Sequence, residues 1–228
     1  MNQTTRLILV GGLACSALLL GACGGDSDKQ RRFQVSITNL TNNQPLSPLL
    51  LAIHNADVEA WQIGQPASEG LEHLAEGGDG ALLSQALTDA DATVTLGDAP
   101  LAPGATETFT VRGSNRDGLR LTVATMLVNT NDAFTGIDST DLSELERGQS
   151  FTLYSHAYDS GTEANTEAAD TIPGPAGGGE GYNPQREARD FVSLHSGVVT
   201  QADGLAASAL DESHRFDNPV VQLVITRR

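Results

Sequence analysis

From Phe33 onward the chain is written in short segments whose bulky residues alternate with polar ones, and clusters of Gly, Pro, Asn and Asp separate the segments. In RFQVSITNL, Phe33, Val35 and Ile37 alternate with Gln34, Ser36 and Thr38, the period of a strand with one face buried. TETFTVRG and NPVVQLVITRR repeat the pattern through Phe109 and Val111, then Val221, Leu223 and Ile225. LSPLLLAIHN is apolar without alternation and reads as a strand buried on both faces. With ATVTLGD, LRLTVATMLVN, QSFTLYSHAY and DFVSLHSG, this makes about eight strands at short spacing, which predicts an all-β antiparallel sandwich.

One connection departs from that rhythm. In PASEGLEHLAEGGDGALLSQAL, Ser68 precedes Leu71, Leu74 and Ala75 as an N-cap would, and Glu69, Glu72 and Glu76 are read as lying where the helix dipole favours acids. Gly77-Gly78 stops this helix, and Ala81 to Leu87 forms a second short one. TIPGPAGGGEGYNP lies between strand segments and is read as a long loop inside the domain.

The N-terminus carries a different signal. Arg6, the apolar run Leu7 to Leu20 and the sequence Leu20-Gly21-Ala22-Cys23 form a secretion signal over residues 1–22. The run is short and Gly-rich for a span, which needs about 20 apolar residues. Leu-Gly-Ala-Cys resembles the bacterial lipobox, so Cys23 is expected to carry lipid. Residues 23–32 then form a flexible tether and 33–228 the folded domain. Gly24 after the cysteine resembles the form sorted to the outer membrane, facing either side of it. Cys15 and Cys23 are the only cysteines, so the mature chain has no disulfide.

The formal charge is −16, and loss of Arg6 with no accompanying acid takes it to −17. A charge of that size makes nucleic acid and anionic membrane surfaces poor partners. The sequence has no nucleophile elbow, zinc-protease helix, phosphate loop or dinucleotide-binding glycine motif. His54, His73, His156, His195 and His214 are scattered without zinc-pair spacing.

Acids do gather where strand-like runs end. Asp132 and Asp138 follow LTVATMLVN, while Asp159 and Glu163 follow FTLYSHAY. Calcium takes six to eight oxygen ligands, which loops distant in sequence can supply. DSGTEANTEAAD lacks the sixth-position Gly of an EF-hand, so a shared site would have to be built from several loops. The alternative is a set of solvated acidic loops that never meet.

LSPLLLAIHN, GQPASEGLEHLAEGG, MLVNTNDAFTGIDS, YDSGTEAN and NPVVQLVITR together resemble the N-terminal spondin domain, in order over Phe33 to Arg228. NDAFTGIDS and YDSGTE are the most specific pieces. The resemblance implies a sandwich similar to a C2 domain, with calcium held by loops at one end. Carried onto this chain it points to Asp132, Asp138, Asp159 and Glu163 as metal ligands. Ala133 stands where the family often has Trp, Glu163 where it has Asp, and Asn165 near a usual Gly.

The sequence-based expectation is a non-enzymatic, calcium-stabilised adhesion or ligand-binding domain on a cell-envelope lipoprotein. Its partners would be an extracellular glycan or a matrix or envelope protein, with the membrane held through the lipid. An envelope-assembly lipoprotein without a small ligand is the second reading. A hydrolase using His156 and Asp159 is the third, weakened because a separation of three places them on opposite faces of an extended chain. Trp61 is read as a core residue rather than an exposed carbohydrate-stacking one.

Overall fold

The computed structural model describes residues 30–114, 118–185 and 189–228. The secretion signal, Cys23 and nearly all of the tether lie outside the described residues. Alternation in the sequence becomes two faces in the fold. Strand β1 (Gln30–Asn39) buries Phe33, Val35 and Ile37 and leaves the polar residues between them turned outward. It starts three residues ahead of Phe33, because Gln30, Arg31 and Arg32 pair with Ser114, Gly113 and Arg112 of β4.

Strands β2 (Leu50–His54), β3 (Thr93–Leu96), β4 (Thr106–Ser114), β5 (Arg120–Met126) and β6 (Ala133–Asp141) follow. Then come β7 (Ser150–Ser155), β8 (Ala157–Asp159), β9 (Ser193–Leu194) and β10 (Val221–Arg227). They form a four-stranded sheet in the order β4-β1-β10-β7 and a six-stranded sheet in the order β3-β2-β5-β6-β8-β9. Every pairing is antiparallel, so the fold is the expected all-β sandwich with short helices.

The main core fills the space between the sheets, with Phe33, Val35 and Ile37 against Leu51, Ile53, Leu121, Val123, Leu223 and Ile225. Strand β2 is buried on both faces, as its unbroken apolar run requires. Leu51 and Ile53 enter the main core, while Leu50 and Ala52 face a second core under the helices.

Those helices are α1 (Glu69–Gly77) and α2 (Ala81–Asp89), joining β2 to β3. Ser68 is the N-cap: its Oγ accepts from the Leu71 amide at 3.2 Å. Leu71, Leu74, Leu83 and Leu87 pack on Leu50, Ala124 and Phe134. Trp61 meets Phe134 edge-on at 5.2 Å and Tyr158 at 6.2 Å, which makes it a half-buried part of this second core. Among the described residues no helix is long and apolar enough to cross a membrane.

Two segments fold differently from their sequence reading. QSFTLYSHAY is not one strand, since β7 belongs to the four-stranded sheet and β8 to the six-stranded one, and the chain crosses between them at His156. Ser155 pins the crossing: its Oγ accepts from the Gly136 amide at 3.0 Å and donates to the Gly136 carbonyl. The segment AFTGIDSTD, read as part of a connection, is instead the nine-residue strand β6. Gly136 interrupts its apolar signal, and the register against β5 shifts between Leu121 and Val123.

Candidate functional site: a buried acidic cluster at one end of the sandwich

Strand β6 begins at Ala133, and Ala133 pairs with Asp159, the last residue of β8. Antiparallel pairing therefore places the entrance to one strand beside the exit from the other. The Ser160 amide donates to the Asp132 carbonyl at 3.2 Å. Asp132, Asp159 and Glu163 thus occupy one end of the six-stranded sheet, and all three are buried.

Asp138 does not join them. It lies six residues along from Asp132, roughly 20 Å at strand rise, in the body of β6. There its Oδ1 accepts from the Ala60 amide at 3.1 Å and from Thr122 Oγ1 at 2.7 Å. The physical reason is β6 itself: an extended strand stands where the sequence reading had a loop.

Within the cluster, Asp132 Oδ2 accepts from Ser160 Oγ at 2.8 Å, from the Thr162 amide at 3.0 Å and from the Glu163 amide at 3.2 Å. Its Oδ1 is buried and has no hydrogen-bond partner. Asp159 is satisfied by the Gly161 amide at 2.9 Å and Asn165 Nδ2 at 2.7 Å. Asn165, which stands near a usual family Gly, thereby becomes a donor to the cluster. Glu163 Oε1 accepts from Asn131 Nδ2 at 3.2 Å, and its Oε2 is buried without a partner.

Further acids that the sequence reading did not assign to a site complete the cluster. Glu167 is buried, and its Oε1 accepts from the Val199 amide at 3.2 Å. Glu76 stands in the last turn of α1 rather than the first, fully buried, with Oε2 accepting from the Asn183 amide at 2.8 Å. An acid four residues after Glu72, on the helix face that also carries Leu71 and Ala75, was the available signal. His73 stacks on Tyr182 at 3.6 Å and holds the Gly-rich loop against the same helix.

Burial pushes the Glu163 carboxyl up to about 8, assisted by the negative charges of Glu76, Asp132 and Glu180 and opposed by Asn131. Burial raises Asp132 to about 7, with Asp159 pushing the same way. Glu167 rises to about 7, again chiefly by burial and then by Asp132. His195 is also buried, which lowers its pKa, and Asp159 acts in the opposite sense. His195 is thus electrostatically coupled to Asp159, whereas His156 sits exposed at the crossing between sheets.

These shifts set a pH dependence. Carboxyls raised in the folded state keep protons that the unfolded chain has already released, so they favour folding at low pH and cease to do so as pH climbs from about 4 to about 8. Asp141, Asp203 and Asp211 are lowered by hydrogen bonds and act oppositely below about pH 4, and His195, whose pKa burial lowers, acts oppositely below about pH 6.5, one group against the three raised carboxyls. Without divalent ions, the protein should therefore melt at a higher temperature at pH 5 than at pH 8. Thermal unfolding in a chelator across that range checks it, and a flat or rising profile would contradict the buried cluster.

The donor chemistry suits a hard cation. Asp132 Oδ1 and Glu163 Oε2 are buried carboxyl oxygens without partners in an acidic cluster, and backbone carbonyls and water are the other ligands that calcium accepts. Among the described residues, no group of three or more His, Cys, Asp or Glu side chains stands ready to hold a metal ion. An ion here would rest on Asp132 and Glu163, with Asp159 contributing field, and not on Asp138.

The fold is an antiparallel sandwich with helices on one sheet and acidic loops gathered at one end of that sheet. The family model for Spondin_N matches residues 36–172, more than half of the chain, and the chain belongs to that family. The matched stretch contains Asp132, Asp159, Glu163 and Glu167. No curated protein matches the chain at a significant level.

Proposed function

We propose that this chain is a lipid-anchored envelope protein whose spondin domain binds an extracellular glycan or protein through the loops around the acidic cluster, with calcium fixing those loops. The observation that carries the reading is the pair of orphaned buried oxygens, Asp132 Oδ1 on the loop that enters β6 and Glu163 Oε2 on the loop that leaves the adjacent β8. An uncompensated pair of this kind is costly in a protein interior. A bound cation would satisfy both oxygens and convert the loops from mutually repelling segments into a fixed surface.

Binding to a glycan and matrix-protein array, measured in calcium and then in a chelator, tests this. A defined partner retained in calcium and lost in the chelator or in Asp132→Asn supports the reading. Equal retention in all three would remove the ion from the function. The anchor has its own check: membrane-extracted protein should carry acyl groups on an N-terminal Cys23 by mass spectrometry, and an unmodified cysteine would refute it.

A further inference from the structure

The whole-chain charge of −16 argues against an anionic surface as partner, but the fold does not spread that charge evenly. The four-stranded sheet has one face in the main core and one face outward. The outward positions of β4 are Thr106, Thr108, Thr110, Arg112 and Ser114. Those of β1 alternate from Gln30 through Arg32 and Gln34 to Thr38, and those of β10 and β7 are Gln222, Val224, Thr226, Ser150, Thr152 and Tyr154. No outward position of these four strands holds Asp or Glu.

The face is hydroxyl-rich and internally tied. Ser36 bonds Thr108 at 2.9 Å, Thr38 bonds Thr106 at 2.8 Å, and Gln222 donates to the Tyr154 hydroxyl at 2.9 Å. Its charge is positive and lies at one end. Arg32 is directly opposite Arg112 in the register, and the Arg228 amide donates to the Arg32 carbonyl at 2.8 Å. By contrast Arg31 and Arg227, on the inward phase, donate to the carbonyls of Ser143 and Leu145 and serve the fold. Asp91, which precedes β3, shares a depression at the rim with Gln30, Arg112 and Ser114, so one carboxylate borders the basic end. Like charges opposed across a strand pair are unfavourable unless something outside compensates them.

That basic end is where the tether enters. Six residues, 24–29, separate Cys23 from Gln30, a reach of no more than roughly 25 Å. The acidic cluster is at the other end of β1, where Asn39 bonds the Gln44 carbonyl and Gln44 bonds the Asn129 carbonyl. Ten strand residues, roughly 30 Å, separate the two ends. A lipid on Cys23 would therefore hold the basic end of this sheet, and not the acidic end, within reach of the membrane.

We propose that the outer face of the four-stranded sheet, headed by Arg32, Arg112 and Arg228, lies against the headgroups of an anionic phospholipid bilayer and turns the acidic cluster away from it. This inference rests on attachment at Cys23, so its test supplies that attachment chemically. The mature chain, residues 23–228, has Cys23 as its only thiol and includes every described residue, so it can be coupled to a maleimide-bearing lipid in vesicles. Thr110→Trp reports on the sheet face, and Gln85→Trp reports on α2 over the opposite sheet, while Trp61 gives the same background in both. Emission is read against a headgroup-nitroxide lipid.

In vesicles containing phosphatidylglycerol, the Thr110→Trp signal should be quenched by at least about half and the Gln85→Trp signal left unchanged. Substituting Arg32, Arg112 and Arg228 together by Ser should abolish the difference, as should pure phosphatidylcholine or half-molar salt. With each arginine near the surface contributing several-fold, the triple variant should shift the docked-to-free ratio on the order of a hundredfold. Equal quenching at both positions, or quenching that survives the triple substitution or the neutral lipid, would overturn the proposal. Matching thermal unfolding of the variants in solution keeps a folding defect from imitating either result.

Discussion

In a chelator at pH 8, Asp132→Asn should unfold at a temperature no lower than the unsubstituted protein, and in millimolar calcium the order should reverse. The first half follows from the pocket. Asn retains an oxygen to accept from Ser160, Thr162 and Glu163, and it removes a buried charge that Asp159 opposes. Its amide group would stand where Asp132 Oδ1 has no partner, so the cost of a bare oxygen is replaced rather than added.

The second half follows from mass action. At about a hundred times its dissociation constant, an ion that binds only the folded state adds roughly 2.7 kcal/mol, or about 5–10 °C for a domain of this size. The variant should gain little of this, and magnesium, which demands a tighter octahedral shell, should reproduce little of it. A calcium shift of equal size in both proteins would show that Asp132 is not a ligand. No shift in either would mean that the raised carboxyls simply hold protons, and the pH profile in a chelator would then describe the working protein.

Replacing Gly136 by Ala should destabilise the domain by roughly 3 kcal/mol or more, lowering its melting temperature by about 6–12 °C. Gly136 has φ 152°, and a Cβ built there would lie 1.7 Å from the carbonyl oxygen of Val123 on β5. That oxygen is backbone in a paired strand and cannot swing aside. Gly148→Ala is the matched control, because its φ of 85° carries strain but the added methyl meets nothing. It should cost only about 1 kcal/mol. Displacing β6 also moves Ala133 against Asp159, so Gly136→Ala should weaken the calcium response more than its stability loss accounts for. Equal costs for the two glycines would show that β5 and β6 are held less closely than their register implies.

Much of the sandwich could be read from the chain because burial on one face writes itself as alternation. β1, β4 and β10 show it, and β2 shows the continuous apolar run of a strand covered on both sides. Ser68 and Gly78 bracket α1 because helix ends leave amides and carbonyls that only certain residues satisfy. The failures have equally specific causes. β6 was missed because Gly136 and the acids of AFTGIDSTD carry no alternation, its stability coming from neighbours on either side. The sheet change at His156 was missed because a crossing between two layers leaves both flanking segments extended. Glu76 reads from the sequence as one of the acids around the first turns, whereas it is buried in the last turn against the Gly-rich loop.

The sequence by itself determined that the chain would be an antiparallel sandwich of the spondin family and that Asp132, Asp159 and Glu163 would stand near strand ends, though it set Asp138 there as well. Those properties are local: they follow from residue type and spacing along a few consecutive positions. Only the tertiary structure decided which acids meet, because meeting depends on which strands are neighbours. Pairing of β6 with β8 brings Asp132 to Asp159, and the length of β6 carries Asp138 away. The same holds for charge. The sequence gives one sum for the whole molecule, while strand order collects Arg32, Arg112 and Arg228 on an acid-free face and the buried carboxylates at the far end, because electrostatics acts through distance in space and not along the chain.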